Sequence, residues 1–275
     1  VASDTDSIYL RLDTLVKKVC KDKTPQQITD FLDKAAEEKI QKVIDDSFKN
    51  LAVYVNAYQQ KMIMKREAIA NKGIWVAKKR YMMNVFDEEG IRFDVPKLKI
   101  MGVEAVKSST PEVCRGKIKD AIRVIMNDSE DALIKFVTEF KEVFKSLSPE
   151  EVAFPRSCNN LSKYTNSSNI YNKGTPIHVK GALIYNHNIY RHKLSAKYPI
   201  IKDGDKIKFL MLKQPNVVKD TVISFATKIP YEFDLHKYVD YDTQFEKTFT
   251  DPLRFILDSI GWKLEREATL EAFFG

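Results

Sequence analysis

Residues 62–100 contain three strand-like runs, MIMKREAIA (62–70), GIWVAKKRYMMNVFD (73–87) and IRFDVPKLKI (91–100). The short sequences NKG (71–73) and EEG (88–90) separate the runs, and their glycines tolerate the positive φ angles of tight turns. The pattern therefore predicts an antiparallel meander with turns at NKG and EEG.

A long amphipathic helix is predicted upstream of the meander. Thr24 suits the N-cap, Pro25 suits the first helical position, and Gln27 completes a capping-box pattern. Apolar residues then recur at steps of three and four as far as Tyr58. We expect the meander, together with SIYL (7–10), to cover one face of this helix.

The chain becomes mainly helical from Val103 onwards. Strand patterns return only at GDKIKFLMLK (204–213) and TVISFAT (221–227), and residues 148–176 are polar and irregular. The shift in composition near Gly102 predicts a domain boundary there, with domains at 1–102 and 103–275. The predicted fold class is α+β.

Composition narrows the function only modestly. The formal charge of +7 and the pI near 9.0 fit a polyanionic partner without requiring one. The three cysteines are too far apart for a disulfide framework or a CxxC metal site, so a reducing compartment is expected. The four histidines lack zinc-ligand spacing, and no apolar run is long enough for a membrane span.

Two carboxylates, Asp4 and Asp6, lie in the sequence SDTD. In an extended chain they point to the same face, where oxygen ligands suit a hard cation such as Mg²⁺. A solvated turn is the more ordinary reading of an isolated DxD pair. Sugar-nucleotide transferases also use DxD to hold a metal diphosphate, so the pair alone does not choose a chemistry.

Longer blocks give the pair a context. ASDTDSIYL (2–10) resembles motif C of family B DNA polymerases, a hairpin with acids at the turn between two palm strands, although Ser3 stands where that family usually has Gly. Further blocks resemble the T-even-type bacteriophage replicative polymerases in the family's order: KREAIA (65–70), residues 77–111, CNNLSKY (158–164), PIHVKGALIYN (176–186) and LEREATLEAFFG (264–275).

The resemblance implies roles for acidic and basic residues near a two-metal Mg²⁺ site. Asp6 matches the acid that ligates the catalytic metals, and Asp4 matches the neighbour that assists their geometry. Glu67 matches an acidic palm residue near the same metals. Lys79 is expected nearest the primer terminus, so the catalytic set is Asp4, Asp6, Glu67 and Lys79.

The resemblance also implies contacts with primer–template DNA and with a sliding clamp. KKRY (78–81) matches the motif that grips the duplex behind the active site. On a strand, Lys79 and Tyr81 would share one face, and Lys78 and Arg80 the other. The further expected backbone contacts are Lys97, Lys99 and Lys107, and the expected clamp-binding residues are Leu270, Phe273 and Phe274.

The implied architecture is a partial palm, an antiparallel sheet with a long helix, followed by a mainly helical thumb. The expected protein is the C-terminal part of a replicative DNA polymerase in the cytoplasm of an infected bacterial host. Deoxynucleoside triphosphates are its expected substrates, and an N-terminal polypeptide with exonuclease, fingers and motif A is its expected partner. The chain alone is expected to be inactive. It is expected to be either one subunit of a naturally split polymerase or a truncated part of an intact polymerase.

The polymerase interpretation meets one structural difficulty and one competing function. The first strand of the motif C hairpin is reduced to VAS (1–3), so SIYL is expected to need a strand from another polypeptide. A non-catalytic module that binds DNA and tethers a clamp would explain the basic balance, KKRY and the tail without any chemistry.

Overall fold

A computed structural model describes residues 2–4, 6–103 and 108–264. Helices and antiparallel sheets occur together, so the predicted α+β class is confirmed. The chain divides into two compact units, residues 1–102 and residues 103–275. Within the described ranges, no helix is long and apolar enough to cross a membrane.

The first unit begins with a small antiparallel hairpin of β1 (Ala2–Asp4) and β2 (Ser7–Tyr9). Its register pairs Ala2 with Tyr9 and Asp4 with Ser7. The three residues of β1 therefore pair with the whole of β2, and the expectation that SIYL needs a strand from another polypeptide is wrong.

The first unit has a short helix α1 (Asp13–Val19) and then the predicted long helix. The long helix runs without interruption through α2 (Pro25–Ala35), a π-helical turn (Ala36–Ile40) and α3 (Gln41–Tyr54). The predicted capping box is confirmed, because the Thr24 hydroxyl accepts a hydrogen bond from the Gln27 amide and the Thr24 amide donates to Gln27 Oε1. The sequence pattern did not predict α1.

The meander is confirmed as a three-stranded antiparallel sheet in the order β3 (Ala68–Ala77), β4 (Arg80–Glu88) and β5 (Ile91–Met101). The EEG turn is also confirmed, since Glu89 and Gly90 have φ angles of +54° and +88°, as a tight two-residue hairpin turn requires. β4 is the central strand, and its residues from Met82 to Asp87 are buried.

The predicted NKG turn is wrong, and so is the strand predicted at 62–67. β3 begins at Ala68 and continues through Gly73 with irregular register, and the chain reverses only after Ala77. Gly73 serves packing instead of a turn, because a Cβ atom there would lie 2.6 Å from the Trp75 indole. The glycine marks the site where an aromatic ring covers the strand.

The second unit combines helices with a three-stranded sheet in the order β10 (Val222–Phe225), β9 (Lys206–Met211) and β6 (Phe154–Ser157). A two-stranded hairpin is formed by β7 (Thr165–Asn166) and β8 (Ile170–Tyr171). The strands predicted at 204–213 and 221–227 are confirmed as β9 and β10. The main helices are α4 (Glu112–Asn127), α5 (Glu130–Ser146), α8 (Ile177–Arg191), α9 (Tyr241–Phe245) and α10 (Asp251–Leu257), with a π-helical turn at Glu246–Thr250. Two short helices are α6 (Pro149–Val152) and α7 (Leu161–Tyr164).

Aromatic packing joins α5 to the last helices of the second unit. The ring of Phe140 lies 4.8 Å from that of Phe249, and the ring of Phe144 lies 5.2 Å from that of Phe245.

Cys114, which is also buried in this unit, contributes a thiol with a pKa raised to about 11 by burial. The thiol therefore stays protonated at neutral pH and serves the core as a small apolar group.

Gly181 in α8 allows this helix to approach β10 closely. A Cβ atom at Gly181 would lie 2.5 Å from the Ser224 hydroxyl oxygen and 2.7 Å from the Ser224 amide nitrogen. We expect Gly181→Ala to lower the free energy of unfolding by about 1–3 kcal/mol, because this overlap outweighs the gain in helix propensity of about 1 kcal/mol. Urea unfolding followed by circular dichroism measures the effect.

Gly116 in α4 provides the matched control for this prediction. It also lies inside a helix, but a Cβ atom there would meet nothing within 4 Å. Gly116→Ala should therefore raise the stability by up to about 1 kcal/mol. Changes of the same sign at Gly181 and Gly116 would contradict the packing argument.

Candidate active site and nucleic-acid interface

The two predicted metal-binding acids lie on the β1–β2 hairpin. Asp4 ends β1, whereas Asp6 is exposed in the turn that leads into β2. The pairing of Asp4 with Ser7 reverses the chain between the two acids, so they do not lie along one extended strand. This arrangement agrees with the hairpin that the resemblance implies, with its acids at the turn. Within the described part of the chain, no three His, Cys, Asp or Glu residues come together as a metal site.

An aromatic cluster of Tyr9, Trp75 and Tyr81 connects this hairpin to the meander. The Tyr9 ring lies edge-on to Trp75 at 5.2 Å and to Tyr81 at 5.5 Å, and Trp75 stacks on Tyr81 at 5.9 Å between ring centroids. Trp75 and Tyr81 are direct cross-strand partners. The cluster thus fixes the acidic hairpin beside the turn between β3 and β4.

Tyr81 keeps its phenolic proton over the whole physiological range. Burial raises the pKa of Tyr81 to about 12, and a hydrogen bond with the Tyr9 hydroxyl adds to the effect. A protonated phenol donates a hydrogen bond, and its ring offers a flat apolar surface. Both properties suit contact with a nucleotide.

The KKRY sequence does not form a continuous strand. Lys78 and Lys79 make the turn between β3 and β4, with φ of +61° at Lys79, and only Arg80 and Tyr81 belong to β4. The prediction that Lys79 shares a strand face with Tyr81, and Lys78 one with Arg80, is therefore wrong. Both lysines are exposed at the tip of the hairpin, and Arg80 is half-buried.

Gly102 packs directly against the tip of this hairpin. Its φ is +66°, and a Cβ atom would lie 2.2 Å from the Lys79 carbonyl oxygen. Because Lys-Lys has no intrinsic preference for a tight turn, this close backbone contact helps to explain why the chain reverses here.

Glu67 and Lys99, which the sequence assigned to catalysis and to DNA contact, bind each other. Lys99 Nζ lies 2.6 Å from Glu67 Oε1 and 3.1 Å from Glu88 Oε1, and Lys97 Nζ lies 2.5 Å from Glu88 Oε2. Burial lowers the pKa of Lys99, but the hydrogen bonds to Glu67 and Glu88 outweigh it, so the pKa of Lys99 is raised. The hydrogen bonds from Lys97 and Lys99 lower the pKa of Glu88.

This charge network lies on the same sheet face as the aromatic cluster. Met101 is the cross-strand partner of Tyr81, and Lys99 is two residues earlier on the same strand, so Lys99 and Tyr81 share a face. The structure thus brings Glu67, Lys99 and Tyr81 together, with Glu67 60% exposed and Lys99 only 18% exposed in their side chains. The predicted DNA contacts of Lys97 and Lys99 stay predictions.

Two known proteins are similar to the chain along its length. It is 32% identical over 288 aligned residues to the DNA-directed DNA polymerase of Enterobacteria phage T4. The alignment covers the whole chain and 32% of that protein. It is 36% identical over 285 aligned residues to the DNA-directed DNA polymerase of Escherichia phage RB69. This alignment covers 98% of the chain and 31% of that protein. Over almost its whole length, the chain is therefore similar to two bacteriophage DNA-directed DNA polymerases. No protein-family model matches it.

The chain spans about a third of the length of the curated proteins it matches. The resemblance identified from the sequence blocks is therefore confirmed. Four of the predicted site residues, Lys107, Leu270, Phe273 and Phe274, lie outside the residues that the structure describes.

Sequence reasoning missed Tyr9 and Trp75 at this site. Tyr9 was read only as part of the strand SIYL, and Trp75 only as part of a strand-like run. The one available signal was the spacing of Gly73 and Trp75, since a glycine two residues from an aromatic on one strand face leaves room for its ring.

Proposed function

We propose that the chain is the C-terminal part of a template-directed DNA polymerase and supplies both a metal-binding carboxylate and the duplex grip. The whole-length similarity to two phage DNA polymerases carries this proposal. The arrangement of the first unit supports it, because the aromatic cluster ties the acidic turn of Asp6 to the lysines at the tip of the β3–β4 hairpin.

Asp6 fits the role of a magnesium ligand. Its carboxylate is exposed in a tight turn, and Mg²⁺ in phosphoryl-transfer sites takes only one or two carboxylates beside water and substrate phosphates. Asp6, assisted by Asp4, would hold a pair of Mg²⁺ ions together with the motif A acid of the upstream polypeptide. When bound, these ions supply the charge neutralisation and the activation of the primer 3′-hydroxyl that nucleotidyl transfer needs.

The residues of the chain itself bind and orient the primer–template DNA. Lys78 and Lys79 neutralise backbone phosphates from the exposed hairpin tip, and Lys79 lies nearest the primer terminus. Tyr81 remains protonated, donates a hydrogen bond from its phenol and presents its ring to the primer end. Lys99 holds Glu67 in place, which keeps this acid oriented on the face that carries Tyr81.

The proposal includes partners beyond this chain. Deoxynucleoside triphosphates bind with the help of the upstream fingers, and Leu270, Phe273 and Phe274 insert into a sliding clamp. Lys97, Lys99 and Lys107 add contacts to the DNA backbone, and the enzyme acts in the cytoplasm of the infected host. Because motif A and the fingers are absent from this sequence, the purified chain is expected to show no primer extension.

The proposed function is tested with a chimera, namely the phage RB69 polymerase in which this chain replaces the region it matches. We expect the chimera to extend a primer on a template, and the same polymerase without the region to be inactive. A chimera that folds and binds duplex DNA without extending the primer would refute the catalytic role. That outcome would favour a DNA-binding and clamp-tethering module.

Replacing the two lysines of the hairpin tip is expected to weaken duplex binding by the chain. We expect Lys78→Gln and Lys79→Gln each to reduce the slope of log affinity against log salt concentration by about 1, because each removes one phosphate contact. The loss should be similar for all DNA sequences, since phosphate contacts carry no sequence information. Fluorescence anisotropy over a salt series measures it.

Lys39 is a suitable control for this experiment. It is an exposed lysine in the π-helical turn of the same unit, away from the meander in sequence. Lys39→Gln changes the net charge by the same amount and should leave the slope unchanged. Equal slopes for all three variants would mean that the hairpin tip does not contact DNA.

A further inference from the structure

Helix α3 and the segment that follows it expose an unusual number of large apolar side chains. None of the 14 residues of α3 is buried. The exposed apolar residues in this stretch are Val43, Leu51, Val53, Tyr54, Val55, Tyr58, Met62 and Ile63, with exposed fractions from 42% to 106%. Contiguous apolar surface of this kind marks an interaction site on a folded protein.

The pattern of α3 indicates that it needs a partner to be stable. Ile40, Ile44, Phe48, Leu51 and Val55 recur at steps of three and four, whereas the charged residues Lys42, Asp45, Asp46 and Lys49 occupy other positions. An isolated helix of this length is marginally stable in water, and helices in proteins gain most of their stability from packing an apolar face. Along this face Ile40, Ile44 and Phe48 are only half-buried, and Leu51 and Val55 are exposed, so the face is incompletely covered by the described residues.

We propose that α3 and residues 55–63 form a docking face for the part of the polymerase polypeptide that lies outside this chain. This inference rests on the proposed function. The chain accounts for only about a third of the length of each phage polymerase it matches, so most of the polymerase is available to cover the face. The charges on α3 cancel, two lysines against two aspartates, which suits a protein surface better than a phosphate backbone.

A groove beside α3 specifies the chemistry of the docked segment further. Its volume is about 880 Å³, and Ile63 of the docking face lines it together with Gln41 at the start of α3. Asp33 pairs with Arg66 and Arg92, and Glu67 pairs with Lys99. Three further carboxylates line the groove beside Lys65, namely those of Glu37, Asp45 and Glu89. The covering segment therefore combines apolar side chains with a lysine or arginine that enters the groove.

Hydrogen exchange in the chain alone and in the chimera tests the docking directly. We expect the amides of Gln41–Tyr54 to exchange at least about tenfold more slowly in the chimera than in the chain, because the upstream polypeptide protects them. Equal exchange in both proteins would overturn the proposal. Protection that appears in the chain alone as its concentration rises would also overturn it, since a second copy would then be the partner.

Two pairs of substitutions separate docking from helix formation. Val53→Ser with Tyr54→Ser should remove at least about tenfold of the protection in the chimera, because large apolar anchors carry most of an interface's energy, while Ser has a helix propensity close to those of Val and Tyr. Val217→Ser with Tyr190→Ser changes two exposed residues of the second unit and should leave α3 protected. Equal effects of the two pairs would refute the docking face.

The readout also separates this inference from the proposed function. Protection of α3 in a chimera without primer extension would support the docking face and refute the polymerase role. Primer extension without protection of α3 would support the polymerase role and refute the docking face.

Discussion

Asp6→Asn is expected to lower primer extension by the chimera by more than about 100-fold, because loss of a direct metal ligand costs more than the 10–100-fold typical of the groups around a metal site. Asparagine keeps the size of the side chain and is well tolerated in turns, so the hairpin should remain folded. Only the negative charge that Mg²⁺ requires is removed. Steady-state primer extension at saturating template and nucleotide measures the effect.

Three comparisons make the Asp6 result specific. Asp13→Asn removes another exposed carboxylate of the first unit, one that pairs with Arg11, and should leave extension nearly unchanged. Asp4→Asn should cause a smaller loss than Asp6→Asn, because the proposed role of Asp4 is to assist the metal geometry and that of Asp6 is to bind the metal. Duplex affinity should stay the same in all three variants. An Asp6→Asn chimera as active as the Asp13→Asn chimera would show that Asp6 is not a metal ligand.

The sequence predicted those parts of the fold that depend on local signals. Thr24 and Gln27 specify the start of α2 through hydrogen bonds within four residues, and Glu89 with Gly90 specifies a tight turn through their tolerance of positive φ. These features, and the α+β class, could be read from the chain without knowledge of its packing.

Turns that depend on distant contacts could not be predicted. The reversal at Lys78 and Lys79 has no turn residue of its own, and it relies on the close approach of Gly102 to the Lys79 carbonyl. The nearby Gly73 misled the prediction because glycine was taken as a turn signal, whereas it makes room for Trp75. A single-residue pattern cannot distinguish these two uses of glycine.

The candidate site was likewise only partly readable from the sequence. The resemblance to polymerases pointed to Asp6, Glu67 and Lys79 one residue at a time. The contact of Tyr9 with Trp75 and the ion pair of Glu67 with Lys99 depend on how separate elements pack and on strand register. The first contact ties the hairpin of Asp6 to the meander, and the second holds Glu67 on the sheet face that carries Tyr81.

The largest effect on stability is expected at Asp87, near the end of β4. Its side chain is fully buried, and its carboxylate forms an ion pair with Arg66 and lies 3.0 Å from Arg92 Nη1. It also accepts a hydrogen bond from the Gly90 amide at 3.1 Å, which fixes the EEG turn. Arg66 and Arg92 both extend to Asp33 on α2, so Asp87 connects the meander to the helix.

Asp87→Ala is therefore expected to lower the free energy of unfolding of the first unit by about 3–5 kcal/mol. Removing one partner of a buried ion pair costs this much because the remaining charges lose their compensation away from water. Urea unfolding followed by the fluorescence of Trp75 measures the loss. A Trp262→Phe background removes the second tryptophan, which belongs to the other unit.

Asp30→Ala is the matched control, because Asp30 also binds Arg92, at 3.2 Å, but its side chain is 69% exposed. An exposed ion pair contributes at most about 1 kcal/mol, so the control should unfold almost like the unchanged protein. If Asp87→Ala and Asp30→Ala had equal effects, Asp33 alone would satisfy both arginines. A large loss only at Asp87 would show that this buried carboxylate holds α2 against the sheet, and thereby supports the strands that carry Trp75, Tyr81 and Lys99.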